Sequence, residues 1–347
     1  MDVLGFEKIL FHPEKLEKLK AGETQFPINA TISLGNYCNH GCLWCTVYAA
    51  RQEDVRHMDE EQLISFLSKS VDAGLKSVAY IGNGEPTAYP GFGKLVDAIA
   101  GLGLEQGMFT NGYLLDRHID QILRSFTYVR VSLDAGSAEV HDAMHDVNGH
   151  YDRIIDNILK LGSGREGLFP AIGVQYAVHH ENLDDLYRGA KAARDAGADY
   201  FSIKPVYNRG SVGLKVAKNN LTDEDLAPVV HEVRKDLENR EFKVYFRPHQ
   251  IANEMADENL LSYDKCVAGF FNMQIYEDGS VVSCGPGHVQ TGTIHDVPES
   301  LVENILNVTK TLDLTKCPAG CRYHPLNHLV ASVLDEEVAR QYHPNFI

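Results

Sequence analysis

Cys38, Cys42 and Cys45 place three thiolates within one short run, Cys38-Asn39-His40-Gly41-Cys42-Leu43-Trp44-Cys45. A structural zinc ion normally takes four protein ligands, whereas a 4Fe-4S cube held by three cysteines exposes one iron to an external chelator. The run therefore reads as a metal centre with one position open, with a partial zinc site as the alternative. Gly41 lets such a loop fold tightly around its guest, and Trp44 offers an aromatic face to a bound base. Cys266, Cys284, Cys317 and Cys321 form a second group towards the C-terminus. Seven cysteines are an odd number for a disulfide set, so metal ligation is the better reading of both groups.

Between the two groups, short β-branched runs alternate with amphipathic stretches, which predicts βα units and a parallel sheet. Strands are expected at Ala30–Leu34, Ser77–Ile81, Gly107–Thr110, Tyr128–Leu133, Ile172–Val178 and Tyr200–Pro205. Asp59 can cap a helix whose Leu63, Phe66, Leu67 and Val71 share a face, with Gly74 at its C-terminal cap. Further helices fall near Leu95, Ile119, Ile154 and Leu186, and one more pair, a helix over 223–239 and a strand over 243–246, precedes a change of pattern near Gln250. Beyond it, Asn272–Tyr276 and Ser280–Ser283 flank Glu277-Asp278-Gly279, a hairpin signal because glycine accepts the positive φ of the turn. The expected architecture is α/β, a partial (β/α)6 barrel of TIM type over 30–250, with an N-terminal extension over 1–29 and a separate small domain over 251–347.

On these residues the chain resembles the radical S-adenosylmethionine superfamily, whose signature is CX3CX2C with an aromatic residue before the last cysteine. The resemblance implies that the open iron binds the amino and carboxylate groups of S-adenosylmethionine, and that one electron cleaves its sulfonium to a 5'-deoxyadenosyl radical. In a parallel barrel the active site lies at the C-terminal ends of the strands. There Gly82-Asn83-Gly84-Glu85-Pro86 resembles the family's GGEP motif, with Asn83 in place of a glycine, and Thr110-Asn111-Gly112 and Ser132-Leu133-Asp134 also fit the family pattern. Cofactor contacts implied in this way are Trp44, Gly84, Glu85 and Ser132. His141-Asp142 matches a pair that an arginine often follows, but Met144 stands where that arginine would fall, leaving Lys204 or Arg247 to meet the cofactor carboxylate. Gln175, within the fifth strand, is either a core amide or a cofactor contact. His179 and His180, if both lie in a strand, point to opposite faces and read as structural or solvated.

Cys266, Gly279 and Cys284 follow a CX12GX4C spacing, and Cys317-Pro318-Ala319-Gly320-Cys321 closes the second set. The hairpin folds its arms together so that distant thiolates can converge; zinc is one occupant for such a set and a second 4Fe-4S cluster the other. The spacing resembles the start of SPASM and twitch domains, and four cysteines suit the twitch form with one fully ligated cluster.

Formal net charge is -16 with 32 Lys and Arg, so a polyanion would meet a mostly repulsive surface, which argues against nucleic acid as a partner. No signal peptide and no membrane-spanning stretch is visible, so a cytoplasmic protein is expected. The winged-helix leader-binding domain of many peptide-modifying relatives would not fit into residues 1–29, so the expected substrate is a sugar, an aminoglycoside or a nucleoside derivative, with a peptide or protein as the alternative. The resemblance also implies a low-potential donor such as flavodoxin or ferredoxin. With every cysteine assigned as a ligand, none remains to return a hydrogen atom, which favours two-electron oxidation over epimerisation or elimination, with Lys204 or His324 as the base. A zinc-binding interaction module on an inactive barrel is the reading from another class. The tail His343–Ile347 carries no assignment.

Overall fold

The computed structural model describes residues 5–45, 47, 54–167, 169–206, 219–246, 261, 263–284, 287–317 and 321–334. Seven parallel strands follow one another across the sheet in chain order: β1 (Asn29–Ile32), β2 (Ser77–Tyr80), β3 (Glu105–Thr110), β4 (Phe126–Ser132), β5 (Ala171–Val178), β6 (Tyr200–Pro205) and β7 (Lys243–Phe246). Helices make each crossing, as parallel strands require. In order they are α2 (Glu60–Ala73), α3 (Phe92–Gly101), α4 (Ile119–Ser125), the pair α5 (Ala138–His145) and α6 (Tyr151–Gly164), α7 (Leu186–Asp195) and α8 (Asp223–Leu237); α1 (Pro13–Lys20) precedes the sheet.

The local chemistry explains where these elements begin and end. Asp59 accepts a hydrogen bond from the Gln62 amide at 3.0 Å, and Gly74 ends α2 at φ 116°. Leu63, Phe66 and Leu67 are buried along one face of that helix. Thr222 and Asp225 form a reciprocal capping box at the start of α8, which seats the seventh strand as expected. In β4 the outer residues Val129 and Val131, with Leu133 just beyond, are fully buried against helices, so the alternating set Tyr128, Arg130 and Ser132 faces the barrel interior.

The C-terminal hairpin has the expected strands, β8 (Asn272–Ile275) and β9 (Ser280–Cys284), around a turn with Gly279 at φ 81°. It does not form a sheet of its own. Residues 272–275 pair in parallel with residues 29–32 on the edge of β1 away from β2, so one ten-stranded sheet runs from β7 to β10 (Val289–Thr293). Two helices that the sequence pattern does not announce, α9 (Pro298–Thr311) and α10 (His324–Leu334), cover this end. A second, smaller core joins Ile9 and Leu16 of the N-terminal segment to Phe270, Phe271, Tyr323, Leu326 and Val330. The N-terminal segment and the last described helix thus share one buried cluster.

Two glycines bring the loops after β1 and β2 into direct contact. A Cβ at Gly82 would lie 2.2 Å from Ser33 Oγ, and one at Gly84 would lie 2.2 Å from the Tyr37 carbonyl oxygen and 2.6 Å from that of Gly35. The Gly84 obstacle is backbone, so the loop leading to Cys38 would have to move. Gly84→Ala is therefore expected to lower the calorimetric thermal midpoint by roughly 1–4 °C, the scale of an overpacked site in a chain of this size. Gly101→Ala, where an added Cβ meets nothing within 4 Å, should not lower it.

Candidate cofactor and cluster sites

The loop carrying Cys38, Cys42 and Cys45 leaves β1 at its C-terminal end and is held from three sides. Glu85 N donates to Tyr37 O at 2.8 Å, which fixes it to the loop after β2. Asn111 Nδ2, just beyond β3, donates to Asn39 Oδ1 at 2.8 Å and lies 3.9 Å from Cys38 Sγ. Gly41 N and Leu43 N donate to the carbonyls of His145 and Met144 at 2.8 and 3.0 Å, using free carbonyls at the end of α5. None of the seven cysteines is in a disulfide. Three soft thiol ligands on one anchored loop fit an iron-sulfur cube with an open corner.

Glu85 is buried, and its carboxylate turns inward. It accepts hydrogen bonds from Thr87 N (3.0 Å), Thr87 Oγ1 (2.6 Å), Thr110 Oγ1 (2.6 Å) and Asn111 N (2.8 Å). Burial pushes its carboxyl pKa up, and those four donors oppose the shift by favouring the anion. Its side chain thus ties the end of β2 to the end of β3. The motif's two polar side chains, Asn83 and Glu85, are thus engaged within the protein, and Gly84 lies with its backbone against Tyr37 and Gly35.

Ser132 ends β4, half-buried on the inner face, in register with Gln175 of β5, which is in register with Ser202 of β6. Lys204 stands two residues nearer the rim on β6, opposite Ala177. The structure therefore places Gln175 in an inward-facing row with Ser132. Met144, where the family resemblance would put an arginine, is buried at 6% exposure. Arg247, Gln250, residues 318–320 and the tail lie outside the described residues.

Trp44 lies half-buried with its ring centroid 6.3 Å from His145 and 6.5 Å from His179. β5 ends at Val178, so His179 and His180 occupy a turn, and their rings come together at 3.8 Å instead of pointing apart. A residue that the sequence pattern missed is His145. Its Nδ1 lies 3.2 Å from Cys42 Sγ and 3.1 Å from His40 Nδ1, and its Nε2 makes an ion-pair contact at 3.3 Å with Asp134 Oδ2. Burial works against its protonation, but Cys42 and Asp134 outweigh that and hold its pKa at about 10. Its signal was obscured because a histidine in a short helix scores as a polar surface position.

The second group also converges. Burial, then Cys321, Cys266 and Cys284 in that order, push the Cys317 thiol up to about 11, so the four sulfurs share one region. Asn327 Nδ2 donates to Cys266 Sγ at 3.3 Å and Gly287 N to Cys284 Sγ at 3.3 Å. Four thiols with neighbouring donors fit a fully ligated cluster. His324 belongs to this neighbourhood: it is buried at the start of α10, three residues after Cys321, with Nδ1 2.5 Å from Tyr263 OH. The two residues expected to serve as bases thus stand on different elements, His324 at the start of α10 and Lys204 on β6.

Residues 32–193 match the model of the Radical SAM superfamily. Over 283 residues the chain is 24% identical to the sporulation killing factor maturation protein SkfB of Bacillus subtilis, covering 79% of this chain and 65% of that one. It is 27% identical over 191 residues to the mycofactocin maturase MftC of Mycolicibacterium smegmatis, covering 54% and 46%. The chain spans between about half and two thirds of the length of these curated relatives. The crystal structure of Streptococcus suis SuiB bound to S-adenosylmethionine superposes with a TM-score of 0.65 at 17% identity, over 91% of this chain and 72% of that one. Among the described residues no helix is long and apolar enough to cross a membrane. With the CX3CX2C loop at the C-terminal rim of its parallel strands, this chain carries a radical S-adenosylmethionine domain over residues 32–193.

Proposed function

We propose that the protein is a radical S-adenosylmethionine enzyme acting on a peptide or protein, with Cys38, Cys42 and Cys45 holding the reactive 4Fe-4S cluster. The observation that carries this reading is the anchored three-thiol loop facing the rim where Gly84, Ser132 and Trp44 stand. When bound, that cluster supplies the electron that cleaves S-adenosylmethionine to a 5'-deoxyadenosyl radical. The chain's own part is to orient and to enclose. Backbone groups of Gly82–Glu85 would meet the methionine end of the bound cofactor, Ser132 its ribose or carboxylate, and Trp44 its adenine. Cys266, Cys284, Cys317 and Cys321 hold an auxiliary cluster, within a unit we assign to residues 251–347. The barrel spans 30–250 and the N-terminal extension 1–29 in this division.

SkfB and MftC, a maturation protein and a maturase, support the peptide or protein substrate. The sugar, aminoglycoside or nucleoside substrate expected from the length of the N-terminal extension draws no support from either. Lys204, on the inner wall, is the residue we assign to take up a proton from substrate. A flavodoxin or ferredoxin is the donor class that suits a low-potential centre. Because all seven cysteines fall into two ligand sets, none is left to return a hydrogen atom, which favours a net oxidation.

Anaerobically reconstituted protein should contain about eight iron atoms per chain, four for each cubane cluster. Replacing Cys38, Cys42 and Cys45 by alanine should remove about half of that iron and all reductant-driven formation of 5'-deoxyadenosine. Continued formation in the triple variant, or a colourless protein holding zinc and no iron, would sink the reading. Once a substrate is in hand, mass spectrometry should find a product two hydrogens lighter. An unchanged mass in ordinary water, with one deuterium gained at an inverted carbon in deuterated buffer, would instead establish epimerisation.

A further inference from the structure

Asn83 is the one departure from the glycine pattern of the GGEP-like loop, and its side chain needs a partner that a glycine would not. The structure supplies one from the far end of the chain. Asn83 Nδ2 donates to both carboxylate oxygens of Glu277, at 2.9 and 3.2 Å. Ser33 Oγ donates to Glu277 Oε2 at 2.7 Å and accepts from Asn83 N at 3.2 Å. Ser33 is also the residue against which Gly82 is pressed. Three residues from three parts of the chain thus close a ring of hydrogen bonds at the C-terminal rim of β1 and β2.

Glu277 is well placed to act as an anchor because its own turn is rigid. Gly279 N donates to Tyr276 O at 2.9 Å, Asp278 Oδ1 accepts from Ser280 N and Oγ at 2.9 and 2.6 Å, and Ile294 N donates to Gly279 O at 2.8 Å. The same hairpin ends at Cys284 of the second cysteine group. A carboxylate accepting three hydrogen bonds outweighs a neutral acceptor, since bonds to a charged partner are about twice as strong.

We propose that Glu277 is a positioning residue for the cofactor-binding loop: acting through Asn83 and Ser33, it sets the shape of Gly82–Glu85, so that the C-terminal hairpin completes the S-adenosylmethionine site. This rests on reading Gly82–Glu85 as that loop. The loop itself is fixed on its inner side by Glu85 and on its outer side by Glu277.

The test is a two-residue cycle in anaerobically reconstituted protein, with S-adenosylmethionine affinity and backbone amide exchange as readouts. Glu277→Ala should weaken S-adenosylmethionine binding by about tenfold, the worth of hydrogen bonds to one charged group. Asn83→Gly, which restores the family's glycine, should bind close to wild type. Relative to Asn83→Gly, the double variant should lose clearly less than tenfold, because Glu277 then reaches the loop only through Ser33. Wild-type affinity in Glu277→Ala, or losses that simply multiply in the double variant, would overturn the proposal. Amide exchange at 82–85, measured without cofactor, should accelerate in Glu277→Ala, and unchanged exchange counts against it equally. If wild-type protein binds no S-adenosylmethionine, the cofactor reading fails, and the exchange result alone decides the role of Glu277. Should Glu277→Ala not fold, Glu277→Gln, which keeps the shape and loses the charge, takes its place in the same cycle.

Discussion

The parallel pairing of β1 with β8 governs the rest of the arrangement. β1 would otherwise be the open edge of the barrel sheet, with a row of unpaired amides and carbonyls; β8 covers it over Asn29–Ile32. Because the two strands run the same way, the loop after β1 and the turn after β8 emerge at the same rim. Cys266, before β8, and Cys284, at the end of the returning β9, are left at the other end. One strand pair therefore sets the two cysteine groups at opposite ends of a four-residue span of about 10 Å plus loops. Between them the inner wall is polar: Asn29 donates to Ser77 and Thr31 to Asn272.

At the rim of β2 and β3, the polar side chains hold the frame. Glu85 spends its whole carboxylate on Thr87, Thr110 and Asn111, which locks the ends of β2 and β3 together. Gly84 matters for the atom it lacks, since any side chain would collide with the Tyr37 and Gly35 carbonyls. Such an arrangement fixes the loops before a ligand arrives, so little of the binding energy is lost in ordering them. His145 extends the same logic to the cysteine loop by joining Cys42 to Asp134.

Much of this was legible in the sequence, unevenly and for physical reasons. Tyr200–Pro205 is a strand with the predicted ends, because its apolar run is bounded by Asp199 and Pro205 and packed on both faces. The caps of α2 were visible because capping is local in sequence. Helix α5 escaped because its buried residues are His141, Met144 and His145, which give no apolar stripe. β10 escaped because register shifts interrupt its pairing and Gly292 its side-chain pattern. The cysteine groups were legible from spacing alone. The roles of Glu85, His145 and Glu277 were not, since each depends on partners 25, 103 and 194 or more residues away, which only the folded sheet brings near.

The small core shared by the two ends of the described chain bears on how the protein is made. Phe270, Tyr323, Leu326 and Val330 leave the ribosome more than 250 residues after Ile9 and Leu16. Until then the first helix has no apolar partner, and β1 is missing its neighbour on one side. Contacts of such long sequence separation close late, because loop entropy must be spent before they form. Cys266 and Cys321 pack against that same late core. The second cysteine set can therefore assemble only once the chain has been synthesised through Cys321, whereas the loop of Cys38, Cys42 and Cys45 leaves the ribosome more than 200 residues ahead of Cys266, so the fold itself orders in time the assembly of the two sets.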